Sequence, residues 1–318
     1  MKQYSHAWLA FMAIKRLEHV QLSSSNRKYA DSLVRWFKNH KDSVTQGAWY
    51  PDSMIKDMAS SHVLKFTPGN GGPPGKFKKL PKTYLLHQQM NDSPLKQRSY
   101  KIDKDNNLPD RCESIAHSVI DNLKMQESEE KGSPIAPSDN HIATLLFMLS
   151  HYVADAHVPF HCDSRRFSAE KNIHGKLEKV WDDAIKEYFL LDKDNERFFY
   201  DPDGYPLPDP DKKQAYDTSF LKRVEDHLKN REFSVTWGNS ANRNVWDFMC
   251  AVCQYSYLLS YSFIPEGYDH TNVTSANWKN LGSISLDDVH VTVLSDAIDS
   301  IAKVYFRIWR KYKRWEKR

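Results

Sequence analysis

Four cysteines in 318 residues, Cys112, Cys162, Cys250 and Cys253, are too few for the disulfide framework on which small secreted scaffolds depend. Cys250 and Cys253 sit in DFMCAVCQYSYLLS, where a helical pattern makes them two buried small residues about one turn apart. A lone CxxC of this kind is weak ground for zinc or redox chemistry. Cys112 and Cys162 can pair only where the fold brings them together. Long apolar runs are also missing, and none reaches the length that spans a bilayer. The opening MKQYSHAWLAFMAIKRLEHV lacks a small-residue cleavage site and runs at once into Lys15 and Arg16. It reads as a helix with Trp8, Met12 and Leu17 on one face, and the want of an export signal favours the cytoplasm.

Charge of one sign is scarce. The formal net charge is +4, with basic and acidic residues interspersed, so no polyanionic partner is demanded. The basic tail YFRIWRKYKRWEKR reads as the solvated end of an amphipathic helix. No GxxxxGK[ST] phosphate-cradling loop occurs: FTPGNGGPPGKFKKLPK, at 66–82, is rich in Gly and Pro, yet it lacks that pattern and follows no strand. There is no internal repeat and no alternating strand of convincing length.

What is present is helical periodicity in an aromatic-rich chain, 40% hydrophobic with 9 Trp, 16 Tyr and 15 Phe, which is a composition that folds. The C-terminal segment shows the pattern best, with Leu294, Ile298, Ile301, Tyr305, Ile308, Tyr312 and Trp315 recurring at steps of four and three. Similar patterns cover the residues near 5–20, 27–42, 110–127, 139–158, 171–190, 212–230 and 241–262. The expected architecture is a single all-α domain over 1–318, of about eight helices, with the Gly/Pro-rich loops at 66–82 and 200–213 as rims around a site.

One stretch resists a purely structural reading. In LSHYVADAHVPFHCD, at 149–163, a helix that looks bound for the core carries His151, Asp155, His157 and His161, although burying such groups without partners costs several kcal/mol each. His151 and Asp155 are four apart and share a helix face. Pro159 ends or distorts the helix, and the turn presents His161. NIHGKLEKVWDD then repeats the four-residue device with His174 and Glu178. A single His/Asp pair at this spacing is usually a surface ion pair. Two such pairs flanking His161 on apolar segments supply the nitrogen and oxygen donors that zinc uses. His157 points away from its neighbours and is left out of the ligand set. His87, His117, His141, His227, His270 and His290 read as ordinary structural or surface residues.

In order along the chain, SHAWLAFMAIKR, GAWYPD, SSHVLKFTP, HYVADAHVPFH and NIHGKLEKVWDD resemble the motifs of the zinc-dependent phospholipase C and three-zinc single-strand nuclease superfamily. The likeness covers residues 1–185 and beyond them is only general. It implies one zinc on Asp52, His62, His151 and Asp155, and a second on His161, His174 and Glu178. A third would be held by His6 with Asp155 as a bridging carboxylate. In the family an N-terminal tryptophan exposed by processing completes that third site through its amine and carbonyl. Met1 lies five positions before His6, the spacing of the nuclease branch, and Lys2 should discourage removal of the methionine, so Met1 is expected to fill the role. Asp57 is the alternative to Asp52, whose GAWYPD context is preferred, and His62 has a reading as a core histidine.

The resemblance further implies an all-α fold and zinc-assisted attack on a phosphate ester, with Asp155 bridging metals and Asp52 doubling as a base. Glu178 and the SHAWLAFMAIKR segment favour phospholipase C chemistry on a phospholipid head group. The N-terminal spacing favours a single-strand nuclease or 3′-nucleotidase acting on nucleic acid. A helical zinc-binding protein without catalysis is the reading from another class. Trp49, Tyr50 and Phe66 adjoin the ligands as pocket-lining candidates, and no partner protein is implied.

Overall fold

The computed structural model describes residues 1–67, 101–102, 107–129, 133–169, 172–235, 244–274 and 277–316, and within them the chain is all-α. Most of the 66–82 loop, expected as a rim around a site, lies outside the described residues. α1 (Gln3–His19) is buried nearly all round, from Tyr4 through Ile14 and at Leu17, because apolar residues occupy almost every position of its middle turns. α2 (Ser24–Asn39) is by contrast amphipathic and buries only Ala30, Leu33, Val34 and Phe37. α3 (Val44–Tyr50) runs into a π-helical turn at Pro51–Ile55.

α4 (Leu108–Ser128) begins in a capping box between Asn107 and Asp110. α5 (Asp139–Asp155) is capped by Ser138 and stops where Pro159 holds Val158 extended, after which the chain coils once as α6 (Pro159–Cys162). α7 (Ile173–Tyr188) follows, then α8 (Lys213–Asp217) and α9 (Phe220–Asn230). α10 (Val245–Phe263) and the long α11 (Leu286–Trp315), opened by a Ser285/Asp288 capping box, complete the set.

Eleven α-helices therefore stand among the described residues where about eight were expected. α3 and α6 are too short to show a period, and the pattern over 212–230 hides a break at Ser219, whose hydroxyl caps α9 by accepting from the Lys222 amide. Two antiparallel ladders also occur. β1 (Phe66–Thr67) pairs with β2 (Lys101–Ile102), and β3 (Leu191–Asp192) with β4 (Arg197–Phe198). Two residues each are too few for an alternating pattern.

α1 is the axis of the packing. It lies against α11, α3 and α7, while α3 and α4 both pack on α5, α10 packs on α4 and α6, and α9 covers α11. Buried side chains of these helices join one apolar cluster, in which Leu294, Ile298, Ile301, Tyr305, Ile308 and Tyr312 form the anticipated stripe, with Trp315 packed at its edge. The segment 200–213 is not a rim. It turns at Gly204 (φ +85°), and its Tyr205 hydroxyl donates to Glu18 at the last turns of α1, the end remote from Met1 and His6. The four cysteines are free, so the conceivable Cys112–Cys162 bridge does not form.

Candidate metal centre

The amino end of α1 is locked onto α7, because one oxygen of the buried Asp182 accepts hydrogen bonds from the Tyr4 and Ser5 amides at 2.9 and 3.1 Å. Asp182 lies one turn beyond Glu178, so the i, i+4 spacing in NIHGKLEKVWDD puts the two on one face, and the packing of α1 on α7 brings the chain start against both. The result is that the Met1 amine is buried 2.8 Å from Glu178 Oε1 and 3.2 Å from Asp155 Oδ1.

Three histidine rings are held by their Nδ1 atoms. That of His151 donates to the Ala48 carbonyl at 2.8 Å, that of His161 to the His62 carbonyl at 2.8 Å, and that of His174 is 2.8 Å from Ser168 Oγ. A carbonyl can only accept, so the proton of His151 and His161 sits on Nδ1 and Nε2 presents its lone pair. Those lone pairs converge on carboxylates. His161 Nε2 and His174 Nε2 lie 3.2 and 2.8 Å from the same Glu178 oxygen, and His151 Nε2 lies 3.2 Å from Asp155 Oδ2. His62 Nδ1 reaches that Asp155 oxygen at 2.9 Å, while its Nε2 is 3.7 Å from Asp52 Oδ1.

His6 stacks on His151 with ring centroids 3.8 Å apart, and both of its ring nitrogens are buried without a hydrogen-bond partner. Nε2 stops 3.6 Å from Asp155 Oδ1. An unsatisfied buried polar group costs about 1–3 kcal/mol, and a cation received by that nitrogen removes the cost. Donor atoms fall into three groups, each within 4.8 Å: His6, His151 and Asp155; Asp52, His62 and His151; His161, His174 and Glu178. His151 is common to the first two, and Asp155 touches both of those groups and Met1. All nine residues singled out in the sequence are thus brought together. Met1 sits between Asp155 and Glu178, farther toward the third group than its expected pairing with His6 implied.

Electrostatics prepare these groups as ligands. Burial works to raise the Asp155 and Glu178 pKa values, yet the Met1 ammonium, with His151 and His161 for the one and His174 for the other, holds both well below the usual carboxylate range. Burial works to lower the Met1 amine, and the two carboxylates outweigh it, so the amine is raised to about 10. Burial, the neighbouring His151 and the Met1 ammonium keep His6 well below the ordinary imidazole value, and burial lowers His161. Burial works to lower His62 as well, but the hydrogen bond and charge of Asp155 outweigh it and raise that imidazole. The ionised carboxylates and the lowered His6 and His161 are in the protonation states in which a zinc or similar cation is bound.

The neighbours that stay outside the cluster have visible reasons. His157 turns to Ser300 Oγ at 2.7 Å. Asp57 accepts from the Tyr152 hydroxyl at 2.5 Å and pairs with Arg111 at 3.0 Å. Trp49 lies beside the His6 and His151 rings, with centroids 6.3 Å from each. Against Ser168, which steadies His174, opens a cavity of about 410 Å³ whose charged lining, Lys65, Arg165 and Arg166, is wholly basic. Its tertiary origin hid it from the sequence, which shows only the RR pair.

No protein-family model matches the chain, and no curated protein matches it. Among solved structures, a crystal structure of the Clostridium perfringens alpha-toxin isolated from avian strain SWCP is similar at 16% identity and a TM-score of 0.49. The similarity covers 97% of this chain and 63% of the toxin chain, so this chain spans less than two thirds of that one.

Proposed function

We propose that this chain is a zinc-dependent phosphoric ester hydrolase of the phospholipase C type. The observation that carries the reading is the convergence of imidazole and carboxylate donors from five separate segments into three groups around Asp155 and Glu178, together with a buried His6 whose nitrogens have no other partner. Imidazole nitrogen and carboxylate oxygen without thiolate suit zinc. In this reading Asp52, His62, His151 and Asp155 would hold one ion, His161, His174 and Glu178 a second, and Met1, His6 and Asp155 a third. When bound, zinc supplies Lewis acidity, lowering the pKa of water and polarising phosphoryl oxygens.

The protein side of the reaction follows from exposure and charge. Asp155 is buried, whereas Asp52 is exposed to solvent, so Asp52 is the carboxylate that accepts a proton from the attacking water. His151 and His161, fixed by backbone carbonyls, keep their rings from swinging as charge develops. In the cavity beside Ser168 Arg165 is paired with Asp163, and the positive charge of Lys65 and Arg166 draws in the anionic ester. Solvent access at Asp52 favours catalysis over a closed structural site. A phospholipid head group is the preferred substrate. The partly exposed Trp49 beside His6 favours a second reading, a single-strand nuclease or 3′-nucleotidase, because an indole there offers a platform for a base, worth about 1–3 kcal/mol.

Elemental analysis of untagged protein, followed by turnover on a phosphatidylcholine emulsion, single-stranded RNA and a 3′-nucleotide at equal zinc, tests both readings. Zinc should be present and the emulsion cleaved fastest. Asp155→Asn should lose bound zinc and lower turnover by at least about a thousandfold, roughly 4 kcal/mol of barrier. Unchanged zinc and turnover in that variant would refute the assignment.

A further inference from the structure

Of the seven large apolar side chains exposed among the described residues, three, Met54, Ile55 and Met58, fall within five consecutive positions, with Met54 66% and Met58 60% exposed. They belong to the segment 52–62, whose ends are Asp52 and His62 of the metal centre. The segment is not a slack loop. The Ser53 hydroxyl donates to the Trp49 carbonyl at 2.9 Å, the Asp57 amide to the Pro51 carbonyl at 3.0 Å, and the Asp57 carboxylate is tied inward to Tyr152 and Arg111. At its tip Lys56 is left-handed (φ 49°, ψ 54°), a conformation that costs a non-glycine residue about 1–2 kcal/mol. Backbone strain of that kind, kept in a braced turn, marks a turn held for use. Met54, Ile55 and Met58 stand in solvent on either side of an exposed lysine that forms no ion pair among the described residues, while the adjacent acid, Asp57, is paired with Arg111.

We infer that this turn docks the protein on an anionic phospholipid bilayer, its three apolar side chains entering the boundary between head groups and acyl chains and Lys56 lying among the phosphates. The inference rests on the proposed phospholipase reading and adds to it the surface through which the metal centre meets its substrate. Charge and area select the occupant. Three side chains are far from the roughly 800 Å² per partner of a stable protein interface, but they suffice for shallow insertion beside a cation. A nucleic acid strand would gain nothing from two thioethers and an isoleucine. Docking here brings Asp52 and His62, on the same short segment, to the membrane surface.

Co-sedimentation of the zinc-loaded protein with large unilamellar vesicles provides the test. Vesicles of pure phosphatidylcholine are compared with vesicles in which about one third is phosphatidylglycerol. The triple variant Met54→Ser, Ile55→Ser, Met58→Ser should partition about tenfold or more weakly than the parent. Lys56→Asn, in which asparagine tolerates the left-handed backbone, should cut the preference for anionic vesicles about fivefold. Both should keep zinc content and turnover on monomeric short-chain phosphatidylcholine. Parent-like partitioning of the variants overturns the inference, as does a parent that ignores vesicles, or a triple variant that loses self-association while still binding lipid. A protein that docks through this turn yet cleaves no phosphodiester upholds the inference and overturns the enzymatic reading, and one that cleaves the monomeric lipid without docking does the reverse.

Discussion

Single residues carry unusual weight where charge is buried. The Met1 ammonium, wedged between Asp155 and Glu178, is one case. An extra residue placed before Met1 turns that ammonium into an amide and forces bulk into filled space. It should lower the bound zinc by one ion and destabilise the zinc-free protein by about 3 kcal/mol, measured by elemental analysis and urea unfolding. Lys303 is another case. It is fully buried behind α9 among Arg16, Arg231, Asp296 and Asp299, and its Nζ has no hydrogen-bond partner. Burial lowers it from 10.5 to about 8 against the pull of Asp299, and burial likewise raises Asp296 to about 6. Lys303→Met leaves two carboxylates facing two guanidiniums, so it should stabilise the fold by about 1–3 kcal/mol at pH 7. A folded-state pKa below the unfolded one means the parent's penalty is full below pH 8 and is relieved as pH rises from 8 to 10.5. The advantage of the methionine variant in urea unfolding should shrink across that window. None of this charged quintet is legible in sequence, because Arg16, Arg231 and the α11 acids meet only through packing.

At the scale of elements, the contact of α3 with α5 sets the orientation of His151, a proposed metal ligand. Gly47 on α3 lies so close to α5 that a Cβ there would stand 2.9 Å from the Phe147 Cβ and 3.0 Å from its ring. The next residue, Ala48, supplies the carbonyl that orients His151. Gly47→Ala should therefore cost about 1–3 kcal/mol in urea unfolding and also weaken zinc binding about 10- to 100-fold, read by competition with a chelator. An unfolding cost without change in zinc affinity would show that the close approach serves packing alone. The α5–α6 corner was legible: Pro159 dictates the stop, and the i, i+4 spacing of His151 and Asp155 dictates their common face. α3 was not, since seven residues give too few turns for a stripe to emerge. The turn at 51–58 was missed for a related reason. Periodicity sees which residues are apolar, and it assigned nothing to Met54 and Met58, which lie exposed in a turn where Lys56 is left-handed.

For the whole molecule, bound metal should act as a clamp on elements distant in sequence, since the proposed ligands come from the start of α1, the 52–62 segment, α5, α6 and α7. Stripping zinc with a chelator should lower the melting temperature, and returning it should restore it. Each site contributes about 4 kcal/mol when free zinc is a thousandfold above its dissociation constant. Calorimetry showing the same transition in both states would argue that the cluster binds nothing. No helix among the described residues is long and apolar enough to cross a membrane. The sequence by itself determined the helical class and the shared faces of His151 with Asp155 and of His174 with Glu178, because both are written in spacings of three and four residues that local backbone geometry enforces. Only the tertiary structure decided that Asp52 and not Asp57 turns to the histidines, that the Met1 amine lies between two carboxylates, and that three apolar side chains remain in water beside the site. Those outcomes depend on which surfaces are buried against which, a property of the packed chain that no local pattern encodes.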